Sequence, residues 1–311
     1  MKPASAHRAK VRRLAPAKIN LALAVGPPRT GDGLHPVCSW MHPIGLADEL
    51  FVTRLEDDRL SRYAILWHDD APKKSPIDWS ITKDLAVRAH LLLEETVGRS
   101  LPVQLKLDKR IPVGGGLGGG SSDAAAMLLA IRDLFELDLP HERLVELALK
   151  LGSDVAFFLG EGPGIVEGVG ERVERTPPIS GHAVLIIPGF GCPTGPVYRA
   201  FDELTASRSH AMRERDVRAL AMQGHIAAGG ADLFNDLAPA AERIAPPLAE
   251  LRARLREALN GTPVHVTGSG STLFLLFDHT DRLTPFLSVI DRTIGEDAVA
   301  VVTHLGAPSL S

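Results

Sequence analysis

Apolar and polar positions alternate along residues 11–25, where Ile19, Leu21 and Leu23 are interleaved with Lys18, Asn20 and Ala22; this period of two predicts a half-buried strand. On such a strand Lys18 and Asn20 leave from the same face. A turn-rich loop over 26–36 follows, then a second strand region over 44–55. Residues 84–97 read as a helix with Leu85, Leu92 and Leu93 on its apolar side, and 103–107 as a strand entering a run of glycines. The apolar stripe Met127, Leu128, Ile131, Leu134 and Phe135 predicts a helix over 123–135. A second helix over 140–151 opens on Pro140 and stops at Gly152. Residues 160–170 are again glycine-rich. Short strands are expected at 183–187, 264–267 and 272–277, the last two parted by Gly268-Ser269-Gly270-Ser271. Residues 205–230 read as exposed helices and loops, and Pro177-Pro178 marks the expected boundary between units 1–177 and 178–311.

A chain of 311 residues is long for one domain and comfortable for two. Its 45% hydrophobic and 23% charged residues are those of an ordinary globular protein. A net charge of -4 speaks against a nucleic-acid partner. Five of the first 13 residues are Lys or Arg, yet no apolar segment follows, so they read as a solvated tail and not a secretory signal. No stretch has the length of a membrane span. Cys38 and Cys192 belong to no paired motif, which suits a reducing cytoplasm. The 12 histidines show no metal-ligand spacing, and His68-Asp69-Asp70 reads as surface. The metal ligands, if any, are unknown at this level.

The chemistry sits in Pro112, Val113, Gly114, Gly115, Gly116, Leu117, Gly118, Gly119, Gly120, Ser121 and Ser122, with six glycines in seven positions. Each glycine costs backbone entropy on folding, so no packed core calls for such a run. A loop of bare N–H groups feeding a helix N-terminus is an anion cradle, which points to a phosphorylated nucleotide. Gly114, Gly116 and Gly119 satisfy G-x-G-x-x-G, but Glu136 follows a helix and not a second strand, which disfavours a dinucleotide fold. Gly115 and Gly120 have P-loop spacing, but Ser121 holds the lysine position, so the lysine must come from elsewhere.

Residues 112–122 resemble the second motif of the GHMP kinases (galactokinase, homoserine kinase, mevalonate kinase, phosphomevalonate kinase). Pro16-Ala17-Lys18-Ile19-Asn20-Leu21 resembles their first motif and Val266-Thr267-Gly268-Ser269-Gly270-Ser271 their third. Within the superfamily, Gly31-Asp32-Gly33-Leu34-His35, Gly152-Ser153-Asp154-Val155-Ala156-Phe157-Phe158 and Gly168-Val169-Gly170-Glu171 are similar to the branch that phosphorylates the 2-hydroxyl of a cytidyl-diphosphate sugar alcohol. The resemblance implies an α+β fold in two domains: one like the second domain of ribosomal protein S5, which binds ATP, and a ferredoxin-like one on the substrate side. It also implies Mg²⁺ with the ATP, a small-molecule acceptor, no membrane partner, and a monomer or homodimer.

The same resemblance assigns roles. Asp154 is the general base for the acceptor hydroxyl, with Lys18 supplying positive charge beside it and Asn20 orienting either group. Outside the family match, Asp154 reads more readily as a helix cap and Lys18 as a solvated strand lysine. His35 faces the cytosine edge, Tyr198 stacks on the base, and Thr194 contacts substrate. Ser121 and Ser122 touch phosphate oxygens or Mg²⁺, or else cap the helix. Leu34 stands where the family usually has a stacking Tyr, and Asp84 where an Asn helps to frame the adenine. Two alternatives stay open: a sibling kinase of the homoserine or mevalonate type, and a non-catalytic nucleotide-binding protein.

Overall fold

The computed structural model describes residues 9–206, 212–226 and 228–309. Strand β1, Lys10–Val25, pairs antiparallel with β2, Val37–Arg54, across the 26–36 loop. Then come β3 (Arg62–Trp67), α1 (Leu85–Val97), β4 (Val103–Lys109), α2 (Gly119–Leu134) and α3 (His141–Leu151). A hairpin of β5 (Gly164–Gly168) and β6 (Arg172–Arg175) leads to β7 (His182–Pro188), α4 (Thr194–Thr205) and α5 (Glu214–Met222). The rest comprises β8 (Phe234–Asn235), α6 (Ala238–Ile244), α7 (Pro246–Ala258), β9 (His265–Val266), β10 (Leu273–Phe277), α8 (Thr280–Ile294) and β11 (Ala298–His304).

Two sheets organise these elements. The first runs β3-β4-β2-β1-β8, with β5 and then β6 added beside β2. The second has the order β11-β7-β10-β9 with every pairing antiparallel, which with its helices is a β-α-β-β-α-β ferredoxin-like layout. Strand β8 leaves the second half of the chain to lie parallel to β1, so the first sheet draws on both halves.

The alternation of side chains explains how the layers stack. On β7, Val184 and Ile186 face α4, α6, α7 and α8, while Ala183, Leu185 and Ile187 face the first sheet. On β10, Leu273 and Leu275 take the helix side, whereas Phe274 and Leu276 join Ile19, Leu21 and Trp40 from β1 and β2. The other face of the first sheet packs Leu50, Val52 and Leu105 against α1, α2 and α3. Three apolar layers therefore alternate with two sheets.

Several expectations shift. The 123–135 helix begins earlier, at Gly119, because Gly118 in a left-handed conformation (φ 72°) acts as its N-cap. The 44–55 strand begins at Val37, since the pairing with β1 continues past Pro43. The basic segment is no solvated tail in its described part: Lys10 to Arg13 open β1, where Arg12 pairs with Glu49 and Arg13 with Asp133. Residues 1–8 of that segment, and 207–211 and 227 of the 205–230 stretch, lie outside the described residues. Strands β3, β5, β6, β8 and β11 and helices α4, α6, α7 and α8 had no forecast.

The register of β1 against β2 shifts between Pro16 and Lys18 and again between Asn20 and Ala22. Irregularities of this kind bend a strand and re-aim its side chains. They bracket the two polar residues on which the site depends.

Phe274 is fully buried in the layer that joins the sheets. Phe274→Ala is expected to cost about 3–5 kcal/mol, read as a lowered urea midpoint. Because that layer is shared, Trp fluorescence and far-UV circular dichroism should still report one transition.

Candidate active site

Lys18 is the hinge of the site. Its Nζ donates to Asn20 Oδ1 at 2.7 Å and to the Gly116 carbonyl at 3.0 Å, and stands 3.3 Å from Asp154 Oδ2. The ammonium side chain is 4% exposed and the carboxylate 28%, so a ligand reaches Asp154 while Lys18 is enclosed. The Lys18 backbone N–H donates to Leu117 O at 2.9 Å, tying β1 to the glycine loop as well.

Asn20 is fixed in turn. Its Nδ2 donates to Ser39 Oγ at 2.8 Å, and its backbone N–H donates to Thr267 Oγ1 at 3.0 Å. Thr267 Oγ1 donates back to Asn20 Oδ1 at 3.2 Å. With both ends of the amide engaged, Oδ1 can only face Lys18. Asn235 of β8 holds the next stretch, donating to the carbonyls of Val266 and Gly268 at 2.8 Å each. All three expected motifs therefore meet at one point.

The loop itself has positive φ at Gly114, Gly116 and Gly118 (76°, 77° and 72°). At Gly116 the requirement is also steric: a Cβ would stand 2.4 Å from the Thr267 carbonyl oxygen, against backbone that cannot yield. The loop lines a cleft of about 460 Å³ whose other walls include Trp79, Lys83, Asp84, Leu85, Lys109 and Thr194. Helix α2 opens directly onto it, so its first N–H groups face the cleft as anion donors. Asp84 caps α1 through Ala86 N–H at 2.9 Å and accepts the Trp79 indole N–H at 3.3 Å, at the lip of the cleft.

Ser121 and Ser122 do not cap α2, because the cap is Gly118 and carries no side-chain bond. Ser122 Oγ is buried without a partner. Asp154 is no helix cap either; it lies in the turn before the short 3₁₀ segment Ala156–Leu159, whose own cap is Val155. That turn is pressed from behind by Gly170 (φ 104°), where a Cβ would stand 2.0 Å from Ser153 O. Any side chain there would displace Asp154.

The remaining residues come from the 26–36 loop and α4. His35 donates its Nδ1–H to Gly26 O at 2.8 Å, and its Nε2 lies 3.4 Å from Asp202 Oδ1. Its ring centroid is 5.0 Å from that of Tyr198. Burial, with the negative charge of Asp154 added, pushes the Tyr198 phenol up to about 12. Thr194, first residue of α4, shares a hydrogen bond with Ser269 at 3.1 Å. Leu34 lies 51% exposed at the tip of the 26–36 loop.

Sequence reasoning missed Ser39, Asn235 and a buried trio under the loop, Asp48, Lys109 and Asp123. Each sits in an ordinary strand or helix segment with no local signature.

Comparison with known proteins agrees with this geometry. The profile of the GHMP kinases N terminal domain matches residues 84–162, and that of the GHMP kinases C terminal matches 212–290. A 4-diphosphocytidyl-2-C-methyl-D-erythritol kinase of Thermobifida fusca (strain YX) is 36% identical over 299 residues, covering 94% of this chain and 95% of that protein. The protein of the same name from Polaromonas sp. (strain JS666 / ATCC BAA-500) is 37% identical, covering 96% and 92%. A solved 4-(cytidine 5'-diphospho)-2C-methyl-D-erythritol kinase superposes with TM-score 0.72 at 33% identity, covering 96% of this chain and 100% of that one. A homoserine kinase from Cytophaga hutchinsonii shares the fold with TM-score 0.67 at 16% identity, covering 97% and 96%. With both of its family domains matched, relatives aligned almost end to end and three motifs converging on one cleft, the chain belongs to the GHMP kinases.

Proposed function

We propose that this kinase transfers the γ-phosphoryl group of ATP to the 2-hydroxyl of 4-diphosphocytidyl-2-C-methyl-D-erythritol, a step of the non-mevalonate route to isoprenoids. The observation that carries the reading is the Lys18–Asp154 pair, 3.3 Å apart, with the lysine bonded to Gly116 of the glycine loop. Relatives at 36% and 37% identity bear the name of that activity.

As a GHMP kinase the chain uses ATP as its phosphate donor. Phosphoryl transfer asks mainly for positioning and charge compensation. Backbone N–H groups of residues 114–120 and the head of α2 cradle the phosphates. Asp154 takes the proton of the acceptor hydroxyl, and Lys18 stabilises the negative charge growing on that oxygen. Asn20 keeps Lys18 aimed. His35 and Tyr198 form the nucleobase wall, with Thr194 against the rest of the acceptor.

Mg²⁺ takes oxygen ligands and is usually shared between a few protein oxygens and the nucleotide phosphates. The hydroxyls of Ser121 and Ser122, the latter without a partner, fit that donor set. When bound with ATP, the ion would spread the charge of the β- and γ-phosphates. The working assignment is a cytoplasmic monomer or homodimer, divided at Pro177-Pro178. Its two cysteines, both free and buried, suit a reducing compartment.

ADP release by the purified protein is expected with 4-diphosphocytidyl-2-C-methyl-D-erythritol and near background with homoserine, mevalonate or galactose; turnover of one of those three instead would replace the acceptor assignment. Asp154→Asn should lower kcat by a factor on the order of 10²–10⁴, and an undiminished rate would remove Asp154 from the base role. Leu34→Tyr adds an aromatic at an exposed tip beside the His35–Tyr198 wall. Base stacking is worth roughly 1–3 kcal/mol, so the acceptor KM should fall while the ATP KM stays put.

A further inference from the structure

Beneath the glycine loop lies an ionic trio that the reaction itself does not use. Lys109 Nζ, at the end of β4, lies 2.6 Å from Asp48 Oδ2 on β2 and 2.7 Å from Asp123 Oδ2 in the second turn of α2. None of the three side chains exceeds 4% exposure. Asp48 Oδ1 also accepts the backbone N–H groups of Arg110 and Ile111, the latter at 2.7 Å. Those are the two residues immediately before the loop, and Asp123 follows immediately after its last serine. One trio thus holds both ends of residues 112–122.

A buried ion trio is weak evidence for stability, because desolvation consumes much of the Coulomb gain. Its plainer use is geometric. The loop contains six glycines, so an unrestrained chain would lose much backbone entropy on closing round an anion. Anchoring both ends lowers that cost before the ligand arrives.

The charges do not cancel. Two carboxylates face one ammonium, and Asp123 Oδ1 is buried with no hydrogen-bond partner. Burial, with further repulsion from Asp48 and Asp84, drives the Asp123 carboxyl well above its ordinary range despite Lys109. Burial lowers the Lys109 ammonium, but the two carboxylates outweigh it and hold the group above its usual value. The charged groups facing Asp123 are Lys109 from β4, Asp48 from β2 and Asp84 at the head of α1. Both Lys109 and Asp123 border the cleft.

We propose that Asp48, Lys109 and Asp123 are positioning residues that preset the phosphate loop: Asp48 and Lys109 hold its entrance as an ion pair, and Asp123 ties its exit to Lys109 by a hydrogen bond that needs no second negative charge. This rests on reading the glycine loop as the nucleotide cradle. Asparagine at the two carboxyl positions therefore has unequal effects. Asp48→Asn turns an amide donor toward Lys109 and loosens the loop entrance. Asp123→Asn keeps an acceptor for Lys109 and so keeps the tie to α2.

The test is calorimetric titration of MgADP into the full chain, with the acceptor KM measured alongside. Asp48→Asn should weaken MgADP by roughly tenfold or more while leaving the acceptor KM within about twofold, the loss expected of one buried charged hydrogen-bond partner. Asp123→Asn should bind MgADP within about twofold of the wild type, because its amide oxygen still accepts from Lys109. Weakening in both variants, in step with lost thermal stability, would reduce the trio to a structural weld and overturn the proposal. So would an unchanged MgADP affinity in Asp48→Asn. Should that variant fail to fold, Lys109→Gln is measured in its place with the same expected weakening, and Asp123→Asn remains the contrast. Absence of MgADP binding to the wild type would instead strike the nucleotide reading itself.

Discussion

A lysine ammonium at 4% exposure must be met by acceptors on every side, and Lys18 is met by three from distant parts of the chain. Asn20 is its strand neighbour, Gly116 belongs to the loop nearly a hundred residues on, and Asp154 comes from a turn after α3. An enclosed cation left without any one of these would be costly. The site therefore assembles as a unit: moving the loop, the turn or the strand breaks the same set of bonds.

That requirement explains features far from the chemistry. The two register shifts in β1 aim Lys18 and Asn20 toward the loop, and Pro43, which has no N–H to donate, sits opposite Lys18 at the irregularity. Gly170 lets the backbone of 168–171 touch the carbonyl of Ser153 and so holds Asp154 forward. Strand β8 crosses from the second half of the chain to place Asn235 where it can grip Val266 and Gly268. Each device costs regularity elsewhere and gains position here.

Polar satisfaction around the loop is deliberately incomplete. Of five buried side-chain atoms without a partner among the described residues, Ser122 Oγ, Asp123 Oδ1 and Thr272 Oγ1 flank the glycine stretch. Native interiors rarely leave such atoms bare. Their concentration beside a cleft of about 460 Å³ marks where binding energy is held in reserve, in a region whose backbone is otherwise the most permissive in the chain.

Much of this was legible in the sequence for local reasons. A period of two placed β1 and put Lys18 beside Asn20; a glycine run can serve few purposes other than close backbone approach; and three motifs resembling those of the GHMP kinases pointed to the family. What remained hidden depends on partners far apart in sequence. Ser39 looks like any strand serine until Asn20 is set against it. Asp48 and Asp123 are unremarkable until Lys109 comes between them. The β8 crossing consists of two residues and has no periodicity to read. Helix propensity, strand alternation and glycine freedom act between neighbours along the chain, so elements such as β1, β4, α1, α2 and α3, and the class of chemistry, could be read from residue order alone. Ion pairing and burial act through space, so only the tertiary structure decided which carboxylate stands beside Lys18 and what holds the phosphate loop open.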